Sequence, residues 1–120
     1  MVEALPVIEI TLDTKLEDIL DGTPCMVCGY PTEKFLAPDH LMTGQSMRVR
    51  ALNVASYRCS RRCGKVYYYS HEALIESLTR GAEIMRQNGD DVAPHYLRGS
   101  IRIQKKDLKN KRLGRPRNIL

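Results

Sequence analysis

The only cysteines, Cys25, Cys28, Cys59 and Cys63, arrive as two pairs, Cys-Met-Val-Cys-Gly and Cys-Ser-Arg-Arg-Cys-Gly. Thiolates two or three residues apart on a tight turn can ligate one ion from one side. A second such turn across a short sheet completes the tetrahedron that Zn²⁺ accepts. Gly29 and Gly64 follow the pairs and let the backbone turn back so that its N–H groups face the sulfurs. The spacing predicts one structural Zn²⁺ held by all four thiolates, in a site of zinc-ribbon type.

Other chemistries use the same residues. Four cysteines can form two disulfides, as in a small secreted domain. Against this, the opening MVEALPVIEI has no basic segment followed by an apolar stretch and a small-residue cleavage site. A redox Cys-x-x-Cys has no need of a second pair. Iron also accepts four thiolates. The second pair has three intervening residues, which leaves His40, His71 or a water as substitutes for one sulfur.

The rest of the chain must position this centre. One Phe, no Trp and six Tyr make a thin core, so a bound metal, worth roughly 10–16 kcal/mol in apparent binding energy, is expected to matter for stability. No run approaches the ~18 apolar residues of a membrane span. Reduced metal-binding cysteines then predict a cytoplasmic protein. Charge is segregated: residues 1–47 carry eight acids and two bases, residues 48–120 seventeen bases and six acids. That asymmetry points to an anionic partner for the rear half, usually nucleic acid, unless the halves neutralise each other within the fold or across a dimer.

Three segments follow: an acidic lead-in over 1–23, a zinc-ribbon domain over 24–90, and a basic arm over 91–120. In the lead-in, Val7 to Leu12 alternates as a half-buried strand. Thr14 and Glu17 form a capping-box pattern that predicts a short helix ending at Gly22. Glu17, Asp18 and Asp21 there are either a solvated face or a docking surface for a basic protein partner. A strand is predicted over Lys34–Ala37, then a loop from Pro38 through His40 and a turn at Thr43–Ser46. Met47–Ala51 and Val54–Arg58 read as two further strands. The first displays Arg48 and Arg50, while Arg58, Arg61 and Arg62 surround the second knuckle.

Val66 to Tyr69 reads as the strand leaving the metal. Its tyrosines, interleaved with arginines, suit base stacking, and equally suit the core and rim of a Trp-free domain. Ser70 caps the best helix, His71 to about Gln87, with Leu74, Ile75, Leu78, Ala82 and Met85 as its apolar stripe. From Leu97 to Gln104 there is a weak strand pattern. Between Arg98 and Leu120 lie nine bases and one acid, too polar to fold alone. The arm includes Lys105, Lys106, Lys109, Lys111, Arg112, Arg115 and Arg117, all candidates for phosphate. Gly114-Arg115-Pro116-Arg117 resembles the core of the AT-hook, in which arginines enter the minor groove of A·T-rich DNA. Generic phosphate binding and a protein-bound or inert tail are the other readings.

The two Cys pairs, the Asn53-Val54-Ala55 approach to Cys59, the Cys63-Gly64-Lys65-Val66-Tyr67-Tyr68 run and the helix after Ser70 together resemble the YgiT-type zinc-finger domain in the N-terminal half of MqsA-like antitoxins. The resemblance covers residues 25 to about 87. It implies a structural zinc on Cys25, Cys28, Cys59 and Cys63 with no catalytic role, and a zinc domain that contacts a toxin. This chain departs in the spacing of the second pair, in the extra residues in front, and in a basic arm where such antitoxins carry a helix-turn-helix half.

The expected fold is therefore small α+β: a short antiparallel sheet with two Cys knuckles, an amphipathic helix and a basic C-terminal arm. The expected function is nucleic-acid binding, DNA favoured over RNA, through the arm and the five ribbon arginines. The alternative is an adaptor that docks a protein at its acidic front. Hydrolytic zinc needs an open coordination position and a general base. Four thiolates close the site, so catalysis is not expected.

Overall fold

The structure, a computed structural model, describes residues 5–113. It is α+β: strands β1 (Val7–Thr11), β2 (Thr32–Thr43), β3 (Arg48–Cys59) and β4 (Tyr67–Tyr69), then helices α1 (His71–Gln87) and α2 (Ala93–Arg112). β3 is the central strand. β2 pairs antiparallel along its full length, from Thr32 opposite Cys59 to Thr43 opposite Arg48. The other edge of β3 is shared: β1 runs parallel to its first half and β4 antiparallel to its second. The sheet is thus mixed, not purely antiparallel as predicted, because the lead-in strand joins it in the parallel sense.

The two strands predicted over 47–51 and 54–58 are one continuous strand, β3. The loop predicted from Pro38 is the middle of β2, where an edge strand tolerates a residue without an N–H. Opposite it the pairing is relaxed, and Asn53 adopts φ +58°. Alternation puts Met42, Val49 and Ala51 into a core shared with Leu78 and Met85 of α1.

α1 has the predicted limits. Ser70 Oγ accepts the Ala73 N–H at 3.1 Å, satisfying one free amide of the first turn. Ahead of it, the predicted short helix after Thr14 shrinks to a single 3₁₀ turn, Leu16–Asp18. Its surroundings are held by α1 carboxylates. Glu76 accepts the N–H groups of Asp13 (2.8 Å) and Thr14 (2.8 Å) and the Thr14 hydroxyl (2.7 Å), and Glu72 accepts the Leu20 N–H at 2.8 Å.

The largest departure is α2. The weak strand predicted over Leu97–Gln104 and the unfolded arm after it are, as far as Arg112, one 20-residue helix. Alone it is too polar to fold, but it does not stand alone. It packs along α1, burying Leu108 and half-burying Leu97 and Ile101 at helical spacing. His71 Nδ1 and Gln104 Oε1 meet at 2.6 Å between the two helices. Asp90 starts the helix: its buried carboxylate accepts the N–H groups of Ala93 (3.1 Å) and Val92 (3.3 Å), and that of Gln45 (2.7 Å) from the β2–β3 turn. Pro94 in the first turn needs no N–H partner.

Candidate metal centre and nucleic-acid interface

The four cysteines converge. Their sulfurs all lie within 4.8 Å of one another, with Cys25 to Cys63 and Cys28 to Cys59 each at 3.4 Å. A tetrahedral ion with metal–sulfur bonds of about 2.3 Å sets its sulfurs about 3.8 Å apart, within that range. The donor set fits a metal ion such as zinc.

Local backbone geometry explains the convergence. In the first knuckle the Gly29 N–H donates to the Cys25 carbonyl at 2.8 Å, and the Cys25 N–H to Tyr30 at 2.7 Å. Gly29 has φ +75°, a conformation that side chains disfavour. In the second knuckle the additional residue is absorbed by Arg62, at φ +54°, and by a 3₁₀ turn over Cys63–Lys65. The Arg62 N–H closes onto the Cys59 carbonyl at 2.8 Å. The longer spacing therefore delivers Cys63 to the cluster. His40 and His71 are turned elsewhere, His40 to Ser77 at 2.7 Å and His71 to α2.

The electrostatics suit a cation. The Cys28 and Val27 N–H groups pull the Cys25 thiol down. The Cys63 N–H, helped by Cys28 and Arg61, brings Cys59 to about 6. Cys63, which shares its proton with Cys28, Cys25 and Cys59, is pushed up. Crowded sulfurs resist the loss of the last proton until a positive ion takes its place.

The five ribbon arginines do not form a free cationic face. Arg58 donates to Glu33 at 2.8 Å and lies 4.7 Å over the Phe35 ring. Arg62 reaches the same Glu33 at 3.9 Å. Arg61 sits 4.3 Å over Tyr30. Arg50 lies between Asp39 (3.4 Å) and Glu9 (3.8 Å), one on each neighbouring strand. Arg48 is half-buried, with Nε shielded from water and unbonded. Cross-strand register creates these pairs, and register is not visible in a one-dimensional sequence.

The predicted basic residues of the rear fare differently. Lys105, Lys106, Lys109 and Arg112 are exposed on α2, while Lys111 turns inward, 4.9 Å over the Tyr57 ring. Arg115, Arg117 and the AT-hook-like stretch lie outside the described residues. Arg98 and Arg102, absent from the predicted site, join Lys105, Lys109 and Arg112 on one face. Their spacing of four, three, four and three is the helical signal that would have found them. None of these five is ion-paired to an acid among the described residues. Of the acidic candidates, Glu17, Asp18 and Asp21 are exposed, with Asp21 3.3 Å from Lys34.

Among the described residues no helix is long and apolar enough to cross a membrane. Protein-family models, curated proteins and solved structures yield no match to the chain.

Proposed function

We propose that the chain is a non-catalytic, zinc-stabilised nucleic-acid-binding module of the cytoplasm, with α2 as its main contact surface. One observation carries this reading. Arg98, Arg102, Lys105, Lys109 and Arg112 line one exposed face of a helix that is anchored along the neighbouring stripe of Leu97, Ile101 and Leu108. From Arg98 to Arg112 that face extends about 21 Å at 1.5 Å per residue, enough to follow several phosphates. DNA is the favoured target, since the AT-hook-like Gly114-Arg115-Pro116-Arg117 comes next in the sequence. The zinc has a structural role, because four thiolates leave no position for a substrate. A four-cysteine cluster is shared by many zinc ribbons and does not single out the YgiT-type domain, so toxin binding forms no part of the reading.

Titration of labelled duplex DNA at several salt concentrations tests it. Five phosphate contacts give a slope of about −4 to −5 in log K against log salt, and the triple variant Arg102→Gln, Lys105→Gln, Lys109→Gln lowers that to about −2. A slope the variant leaves unchanged refutes the assignment to α2.

A second reading has its own support. Glu17, Asp18 and Asp21 are exposed on a segment held to α1 by Glu72 and Glu76, a rigid acidic surface suited to docking a basic protein. Charge reversal at those three residues would then abolish capture of a dedicated partner while leaving DNA binding intact.

A further inference from the structure

Beside the metal centre, on the far side of the sheet from α2, lies a cleft of about 180 Å³ lined by Phe35, Arg58, Arg62, Val66 and Tyr67. We propose that this cleft seats one unpaired nucleobase, so that a single strand gains a contact there that a duplex bound on α2 cannot make. The inference rests on the nucleic-acid reading above and narrows it.

Size comes first. The cleft is smaller than the roughly 300–1,000 Å³ that whole small-molecule ligands occupy, so it takes one flat ring system instead of a complete cofactor. Its walls are aromatic. Phe35 and Tyr67 meet edge to face, with centroids 5.5 Å apart and planes at 74°, and Tyr69 continues the row at 5.7 Å from Tyr67. Val66 and Tyr67 remain open to solvent. A flat ring entering here meets the exposed Tyr67 and the aliphatic Val66 side chain, the kind of aromatic contact that bases make in single-strand binders.

Charge narrows the ligand further. Arg58 and Arg62 share one carboxylate, Glu33, so the rim carries a net positive charge. The Arg62 side chain is 65% exposed. An aromatic ring bearing an anionic group matches that rim, and a nucleotide is such a ligand: its base lies against Tyr67 and its phosphate against Arg62.

The metal builds one wall. Arg62 directly precedes Cys63, and Val66 ends the 3₁₀ turn that begins at Cys63. Chelation at Cys63 therefore fixes both rim residues.

Topology supplies the strandedness. Phe35 pairs with Ser56 and Lys34 with Tyr57. Successive residues point to opposite faces, and Tyr57 is the one that Lys111 of α2 covers. The cleft and α2 thus flank the same end of the β2–β3 ribbon from opposite sides. A rigid duplex lying on α2 cannot also enter the cleft, whereas a single strand can pass around the sheet edge.

The test uses the full zinc-loaded chain with a labelled oligothymidylate and an oligouridylate of about fifteen nucleotides, the upper range of one small single-strand site, and a duplex of equal length. Tyr67→Ala is expected to weaken single-strand binding roughly five- to hundredfold, Tyr67→Phe to restore it, and neither to change duplex binding. Phe35→Leu provides the same comparison should Tyr67→Ala misfold by circular dichroism. Similar losses on both single strands support recognition of the base over the sugar. Single-strand affinity indifferent to Tyr67 and Phe35, beside a duplex that binds, overturns this proposal alone. Failure of every oligonucleotide to bind the wild-type chain at low salt overturns the nucleic-acid reading itself.

Discussion

Two helical glycines are expected to respond differently to the same substitution, one with a gain in stability and the other with none or a loss. Gly81 lies within α1 and Gly99 within α2. Replacing a helix-interior glycine with alanine gains about 1 kcal/mol from backbone entropy and propensity. At Gly99 nothing lies within 4 Å of the new methyl, so Gly99→Ala should realise that gain in full. At Gly81 the methyl would stand 2.4 Å from Met42 Sδ and 2.6 Å from its Cε. Met42 is only 4% exposed and cannot swing into solvent. Overpacking of this kind costs about 1–3 kcal/mol, which leaves Gly81→Ala between neutral and about 2 kcal/mol destabilised. Urea denaturation of the zinc-loaded protein reads both values, with an unchanged m-value as the control for a common unfolded state. Adding Met42→Ala to Gly81→Ala should cost less than the two separate losses together, because the colliding group is gone. Gly81→Ala stabilising as much as Gly99→Ala would refute the packing of α1 on β2. Gly99→Ala without benefit would refute the helicity of α2, the element that carries the proposed function.

Three further outcomes are expected. Exhaustive chelation under reducing conditions, or Cys59→Ser, should abolish cooperative unfolding, since a structural zinc contributes about as much as the 5–15 kcal/mol stability of a whole domain; retained near-ultraviolet tyrosine dichroism after chelation would count against the metal centre. Glu76 is opposed by burial, but hydrogen bonds from Asp13, Thr14 and Arg80 outweigh it and hold its carboxyl below the usual value; its contribution is present above about pH 4.3 and fades as pH falls through the lowered folded value, so Glu76→Gln should cost about 1 kcal/mol at neutral pH, after allowance for solvent screening, and flatten the acid limb. Burial also lowers the pKa of His40, against the pull of Asp39. As pH drops below about 6.5 the unfolded chain takes up that proton first, so stability falls there, and His40→Gln should remove this part of a pH–stability profile.

What could be read from the sequence was local. The Cys pairs with their following glycines, and Ser70 ahead of a periodic apolar stripe, each announce themselves within a few residues. α2 was hidden because Ile101 and Ile103 alternate like a strand, while the partners of Leu97, Ile101 and Leu108 lie on another helix. Its polarity matters little once α1 supplies the apolar counterpart. The ribbon arginines misled for a related reason. Glu33, Asp39 and Glu9 come within reach of three of them only once β1, β2 and β3 fall into register. The carboxylates of Glu72 and Glu76 bind backbone amides 52 to 63 positions away, partners that no local pattern marks.

The parallel seat of β1 on β3 has a bearing on synthesis. β1 has no neighbour until Arg48–Leu52 emerges from the ribosome, and the amides of Asp13, Thr14 and Leu20 have no acceptors until α1 exists. The β2–β3 hairpin can close earlier, since local contacts cost less chain entropy than distant ones. β1 and the acidic segment after it are thus made before the partners that seat them, and the nascent chain carries that segment undocked until α1 has been made.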